Sequence, residues 1–345
     1  MEAVHEDIFD QEEAGQLQNT LRSATEATVT AIDRTTWQDH PPVPLNLATA
    51  QKAFAGTPSQ VLSCLQDLYE AGHVTYPRTS NQQYAEDFDF RTKIEALRDY
   101  SPLDTPVSAP YEPTEGDVHD PAHPPITPTP NVPFFGDLSD YEEAIYRRVA
   151  RHFLATLMEP AVKRKIEYTL AVDGYEFVTD TRQMKRMGYL ATYGQYSTVY
   201  SDSSIDWAEG DTVDITDWSL VEKETQPPDR HSQSSVVEQM EAQGLGTSAT
   251  RGGMLQKLLD RDYVIDDDGS LETTALGENL IDALEDYAPK ITDPTFTEDL
   301  QKDLDTVRYG LLDADAAVMN AREWVVDVGI EIKRHEEQIG TRLTD

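Results

Sequence analysis

The residues with the clearest chemical capacity stand in one short run, Gly72-His73-Val74-Thr75-Tyr76-Pro77-Arg78-Thr79-Ser80. A tyrosine phenol is a weak nucleophile at neutral pH because its pKa lies near ~10. It attacks phosphorus only where cations favour the phenolate and neutralise the oxygens on which charge develops. Arg78 is two residues on, so in an extended segment it projects from the same side as Tyr76. A guanidinium can grip phosphate through two parallel hydrogen bonds. Pro77 biases the residue before it to an extended geometry. Thr79 and Ser80 add hydroxyl donors suited to phosphate oxygens. A lone tyrosine before a proline reads as a packed aromatic; its neighbours here turn the reading towards phosphoryl chemistry.

A second candidate is His123, in Asp120-Pro121-Ala122-His123-Pro124-Pro125-Ile126-Thr127-Pro128-Thr129. Two readings stay open for it: a solvated histidine in a proline-rich loop, or a phosphate contact held in place by proline rigidity. Asp266-Asp267-Asp268 fits a solvated hairpin tip better than a metal site. Cys64 is the one cysteine. It sits among apolar helix positions as a buried, inert thiol, and alone it rules out an internal disulfide framework or a cysteine-based zinc site.

The charge balance is unusual: 28 basic against 64 acidic residues gives a formal net charge of -36. Alone, this argues against a nucleic-acid partner, since affinity for DNA comes largely from lysine and arginine neutralising phosphates. One source of such a balance is an acidic protein with basic partners. The other is a salt-loaded cytoplasm, where screening weakens self-repulsion and carboxylates keep the protein soluble. The acids are spread along the whole chain and Arg outnumbers Lys, which favours the second. The N-terminal residues have no basic and apolar pattern of a secretory signal, and no apolar run approaches a membrane span. A cytoplasmic protein with no membrane partner is expected.

Positioning Tyr76 requires the elements around it. Thr57-Pro58 opens a helix, with Thr57 as N-cap and Pro58 in the first turn. Val61, Leu62, Leu65, Leu68 and Tyr69 fall on one face, and Gly72 ends the helix. A short strand around Thr75 then carries Tyr76 outwards. Upstream, a helix over Glu12–Leu21 precedes a strand, Ala27–Ile32. Residues 101–135, rich in Pro, Thr and Asp, read as a flexible linker. A helix follows from Ser139 to about Met158. Residues 161–222 read as a β domain sharing a sheet with the N-terminal strand, with a hairpin at Asp173-Gly174 and further strands at 189–193 and 212–215. Ser232 then caps a helix through Met240. The turn Gly244-Leu245-Gly246 leads to a second helix carrying Met254, Leu255, Leu258 and Leu259, and a hairpin turns near Asp268-Gly269. This order is a winged helix-turn-helix pattern, or any helix pair with a β finger. The last 35 residues read as one amphipathic, charged helix.

Several stretches, in order, resemble the type IA DNA topoisomerases in their archaeal and topoisomerase III-like variants. Leu68–Ser80 resembles the family's active-site segment, and Asp120–Thr129 the stretch around its phosphate-binding histidine. Gln226–Arg230 through Met240–Arg251 continues the likeness, as do Arg261–Val264, Thr274–Gly277 and Phe296–Leu300. The resemblance implies that Tyr76 is a nucleophile that becomes a 5′-phosphotyrosine and that Arg78 orients the scissile phosphate. It implies that His123 holds a neighbouring phosphate, that Thr250 and Arg251 contact the strand at a helix start, and that Arg230 lies in the same groove. His231 and Gln233 replace a frequent Tyr and Glu of the family, and Thr127 stands where bacterial members often have Arg.

The expected fold is therefore α+β and multidomain, an arch of helical, winged-helix-like DNA-binding domains and an antiparallel β hinge domain. Residues 1–45 and 161–225 would form the hinge, 46–160 the helical domain with the tyrosine, and 226–345 the winged-helix-like domain and C-terminal helix. The expected activity is transient cleavage and rejoining of single-stranded DNA without ATP. Mg2+ is expected for the family. Its acidic site belongs to a TOPRIM domain that would precede these segments, and this chain begins after that point. No zinc is expected. The partners are single-stranded DNA and a separate TOPRIM-containing polypeptide, with the chain a subunit or fragment. The alternatives are a non-catalytic remnant that only binds single strands, and an acidic winged-helix regulator.

Overall fold

A computed structural model describes residues 2–98, 100, 107–120, 122–134, 136–193, 205–247 and 250–343. The chain divides into two units: one of 1–43, 104–114 and 151–227, and one of 44–103, 115–150 and 228–345.

The first unit is built on an antiparallel sheet. α1 (Gln11–Leu21) is capped by the Asp10 carboxylate, which accepts from Glu13 N–H. The strands are β1 (Glu26–Asp39), β2 (Ala161–Val172), β3 (Tyr175–Arg186) and β4 (Thr212–Asp214), in the order β3-β2-β1-β4. The expected shared sheet is thus formed by the N-terminal strand and the later β segments. β2 buries every second residue, Ile166, Tyr168, Leu170 and Val172, as a half-covered strand should. These pack with Leu21, Ala27, Val29 and Phe177, and Trp207 and Trp218 close over them. β1 is longer than the expected 27–32, because its outer half is exposed and lacks the apolar alternation that marks a strand in sequence. The strand expected at 189–193 is instead a 3-10 turn, Gly188–Tyr193. Its Tyr189 and Tyr193 hydroxyls reach Asp39 and His152, so the aromatic spacing serves a turn and not a pleat.

The second unit holds α2 (Leu47–Ala53), α3 (Pro58–Glu70), α4 (Phe90–Arg98) and most of α5 (Asp140–Ala155), whose last turn belongs to the first unit. It continues with α6 (Gln233–Ala242), α7 (Arg251–Asp260), the hairpin of β5 (Val264–Asp267) and β6 (Ser270–Thr273), and α8 (Ala275–Tyr287). α9 (Thr295–Arg308), α10 (Ala314–Arg334) and α11 (Glu336–Arg342) complete it. The single C-terminal helix expected from the sequence is broken at His335, between α10 and α11.

α3 has the expected start: Thr57 and Gln60 form a reciprocal capping box, with Pro58 in the first turn. Val61, Cys64, Leu65 and Leu68 are buried; Leu62 is only half-buried and Tyr69 is exposed. α6, α7 and the hairpin share a small core of Val237, Leu255 and Leu271. α6 lies on α2, where Ser234 Oγ donates to Gln51 O and Lys52 pairs with Glu238. Gly277, in the first turn of α8, is a forced choice. A Cβ there would stand 2.2 Å from the Tyr263 carbonyl oxygen. Among the described residues no helix is long and apolar enough to cross a membrane.

Candidate active site

Tyr76 is delivered by the end of α3. Gly72, at φ +80, reverses the chain there. Its N–H donates to Tyr69 O at 2.8 Å and His73 N–H donates to Leu68 O at 2.9 Å, which satisfies the last carbonyls of the helix. The strand expected around Thr75 is present only as an isolated bridge, Val74 with Pro128. It is nevertheless pinned from both sides. Thr75 N–H donates to Thr127 O at 2.9 Å, Thr129 N–H donates to His73 O at 2.9 Å, and Thr75 Oγ1 donates to Pro125 O at 2.7 Å.

The segment that does this pinning lies in the stretch expected to be a flexible linker, and this is a correction. Ile126 and Thr127 are each 1% exposed, and Ile126 bridges to Leu45. The prolines leave fewer N–H groups to satisfy, and those that remain pair with residues 45 and 72–75, partners that local composition cannot reveal. Of that stretch, 101–106, Pro121 and Phe135 lie outside the described residues.

The fold brings the two principal candidates together. The Tyr76 and His123 rings lie 5.4 Å apart, tilted by 32°. The Tyr69 ring meets Tyr76 edge-on at 5.3 Å. The His123 side chain is partly exposed and tethered: its Nδ1 is 3.1 Å from Asp120 Oδ2, and its carbonyl accepts from Asn81 Nδ2 at 2.8 Å. Burial pushes the Asp120 carboxyl up, but hydrogen bonds from Ala122 N–H and His123 and the positive charge of Arg308 outweigh it, leaving it below the usual carboxylate range.

The remaining candidates divide. Arg78 is half-buried and makes contacts within the protein. Thr79 is turned inwards, 1% exposed, where its hydroxyl accepts from Asn81 N–H. Ser80 is half-buried, and its carbonyl accepts from the Asn46 amide. Thr250 stands at the N-cap position of α7 without a side-chain cap bond, its hydroxyl instead accepting from Thr247 N–H. Arg251 is buried: its guanidinium donates to Leu245 O and Gly246 O and pairs with Glu241, which braces the glycine turn. Arg230 is exposed and pairs with Glu272 on β6. Of the motif around Thr250, Ser248 and Ala249 lie outside the described residues, as does the Phe296 side chain.

Sequence reasoning missed four neighbours of the site. Asn81 is buried and ties the loop after Tyr76 to Asp120 and His123. Lys93 of α4 donates to Pro128 O at 2.8 Å behind the pinning segment, and burial pulls its ammonium down to about 8. Tyr69 was read only as a helix-face residue. Asp120 stands near His123 in the sequence, where spacing alone assigns it no role. A short polar side chain inside a Pro-rich loop was the available signal, but its partners are distant in sequence.

Metal ligation finds no match among these side chains. Among the described residues no group of three or more His, Cys, Asp or Glu is placed to hold a metal ion. Asp266, in the acidic run, accepts from Gly269 N–H and from the Gln233 amide, and Asp268 sits at φ 50 in the hairpin turn.

Residues 2–319 match a family model described as DNA topoisomerase. A DNA topoisomerase 1 of Pyrococcus horikoshii is 33% identical over 317 residues, covering 88% of this chain and 45% of that protein. A DNA topoisomerase 1 of Methanocaldococcus jannaschii is 29% identical, covering 99% of this chain and 46% of that protein. Among solved structures, full-length topoisomerase I from Thermotoga maritima matches with a TM-score of 0.75 at 23% identity, over 94% of this chain and 56% of that one. That last likeness is one of fold, a mixed α and β architecture with an antiparallel sheet. The chain spans about half the length of the curated relatives it matches.

Proposed function

This chain belongs to the type IA DNA topoisomerase family, and on that premise we propose that its second unit carries the DNA-cleaving tyrosine, Tyr76, of a topoisomerase acting on single-stranded DNA. The observation that carries the reading is the closeness of the Tyr76 and His123 rings, centroids 5.4 Å apart and tilted by 32°, residues far apart in sequence and brought together by the pinned segment. The phenolate oxygen attacks the phosphorus, the P–O3′ bond breaks, and the departing 3′ oxygen takes up a proton. The product is a 5′-phosphotyrosine. The number of phosphoester bonds is unchanged, so resealing is the same step reversed and needs no ATP. Arg78 orients the scissile phosphate and neutralises its oxygens, while His123 holds a neighbouring phosphate.

Ser80, Thr250 and Arg230 are outlying strand contacts in this reading. Thr79 and Arg251 act from inside, by shaping the loop after Tyr76 and the turn before α7. α6, α7 and the hairpin serve as a winged-helix-like reader. Residues 1–45 and 161–225 make the β hinge, and 46–160 and 226–345 make the helical domains. The family's Mg2+ finds no fitting ligand set among the described residues, so no step is derived through it. Its ligands are proposed to come from elsewhere in the protein or from a separate TOPRIM-containing polypeptide. The evenly spread acidic residues suit an archaeal-type protein of a salt-rich cytoplasm.

The test is a labelled single-stranded oligonucleotide incubated at high salt with Mg2+, with and without a TOPRIM-containing polypeptide. Covalent adduct on the wild type and none on Tyr76→Phe is the expected result. Binding without adduct under every condition would mark a non-catalytic remnant and overturn the reading.

A further inference from the structure

We propose that Asp120 and Arg308 are positioning residues for His123, forming with it a carboxylate–imidazole chain that presents one nitrogen, Nε2, to a DNA phosphate. The proposal rests on the reading of Tyr76 and His123 given above. Asp120 Oδ2 lies 3.1 Å from His123 Nδ1, while its other oxygen, Oδ1, accepts from Ala122 N–H at 2.9 Å. Arg308, at the end of α9, brings Nη2 to 3.7 Å from that same Oδ1. The Asp120 backbone N–H is fixed in turn by the buried Asn81 side chain, at 3.2 Å. The carboxylate therefore cannot swing away from the imidazole without breaking contacts on two sides.

The consequence follows from imidazole chemistry. Which ring nitrogen carries the proton is set by the partner of the other. With Asp120 accepting at Nδ1, the Nδ1 proton is retained, and Nε2 is the nitrogen left to face a ligand. Once Nε2 also takes up a proton, a phosphate oxygen accepts Nε2–H from a ring whose Nδ1–H is already held by a carboxylate, and the two charge-assisted bonds strengthen one another. Asp120, with Arg308 behind it, is the carboxylate that meets this ring, and the neutral Tyr76 phenol ring lies 5.4 Å from it. Arg308 thus couples α9, far along the chain, to the nucleophile's neighbour.

The experiment uses the full chain labelled with 15N-histidine, and a short thymidine oligonucleotide as probe. The His123 signals are those missing from His123→Gln. In wild type, Nδ1 is expected to be the protonated nitrogen of neutral His123; in Asp120→Asn that preference is lost, and in Arg308→Gln it is weakened. Loss of one charge-assisted hydrogen bond predicts about a tenfold weaker oligonucleotide affinity for Asp120→Asn. The double variant Asp120→Asn with His123→Gln should bind no more weakly than His123→Gln alone. An unchanged tautomer in Asp120→Asn, or additive losses in the double variant, would overturn the proposal. The asparagine keeps an acceptor for Ala122 N–H, and the remaining histidine signals report whether the fold is intact. A wild type that shows the Nδ1–H tautomer but does not bind the oligonucleotide would instead overturn the reading of the site, which keeps the two failures distinct.

Discussion

At the scale of single residues, burial divides reactive side chains from inert ones. The Cys64 thiol is buried in α3, and burial, reinforced by the charges of Glu142 and Asp67, pushes it up to about 12. It should stay unreactive to a thiol-labelling reagent in the native protein and label at the rate of unfolding; rapid native labelling would contradict its burial. Lys93 shows the opposite sign. Desolvation lowers its ammonium to about 8, while the unfolded chain keeps the usual lysine value. The unfolded state therefore holds the extra proton between pH about 8 and 10.5, and stability rises with pH across that window by ~3 kcal/mol. Urea midpoints should show this rise for the wild type, and Lys93→Met should lack it. Tyr76 and Arg78 stand out in sequence as candidates because their neighbours carry chemical sense at short spacing, whereas His123 becomes one only through the family resemblance. Asn81, Asp120, Lys93 and Arg308 do not stand out, since each acts through a partner that only the folded chain brings near.

At the scale of elements, local signals were legible where the element satisfies itself. α3 announces its start through Thr57-Pro58 and its end through Gly72, and the β2–β3 hairpin its turn through Asp173-Gly174. Thr57→Ala removes one half of the capping box and should cost ~1 kcal/mol in chemical unfolding. Leu65→Ala opens a cavity beneath α3, and ~3 kcal/mol is expected. Gly277→Ala should lose ~2 kcal/mol or more, because the new methyl meets a backbone carbonyl that cannot rotate away. A neutral Gly277→Ala would show that α8 starts differently. Elements that depend on others were misread. Residues 101–135 read as a linker because proline and threonine dominate, yet 125–129 are anchored by hydrogen bonds to 72–75. The 189–193 segment looked like a strand because its aromatics alternate, yet they bond to Asp39 and His152 from a 3-10 turn.

At the scale of the whole molecule, the net charge of -36 and a DNA substrate pull in opposite directions. Self-repulsion among carboxylates is long-ranged and falls as the Debye length shrinks from ~10 Å at 0.1 M salt to ~3 Å at 1 M. The thermal midpoint should accordingly rise as KCl is raised through that range, and a flat or falling response would remove the case for a salt-adapted surface. The sequence showed the charge and its even spread, but not where the few cations stand. Several of them are paired internally, as Arg251 with Glu241, Arg230 with Glu272 and Lys163 with Asp39. The central claim is that Tyr76 carries the DNA in the covalent state. It is tested most directly by trapping the adduct on a single-stranded oligonucleotide, digesting the protein and mapping the nucleotide-bearing peptide by mass spectrometry. The account predicts a 5′-phosphoryl nucleotide on the phenol of Tyr76 and no adduct from Tyr76→Phe; a nucleotide on any other residue, or adduct surviving that substitution, would contradict it.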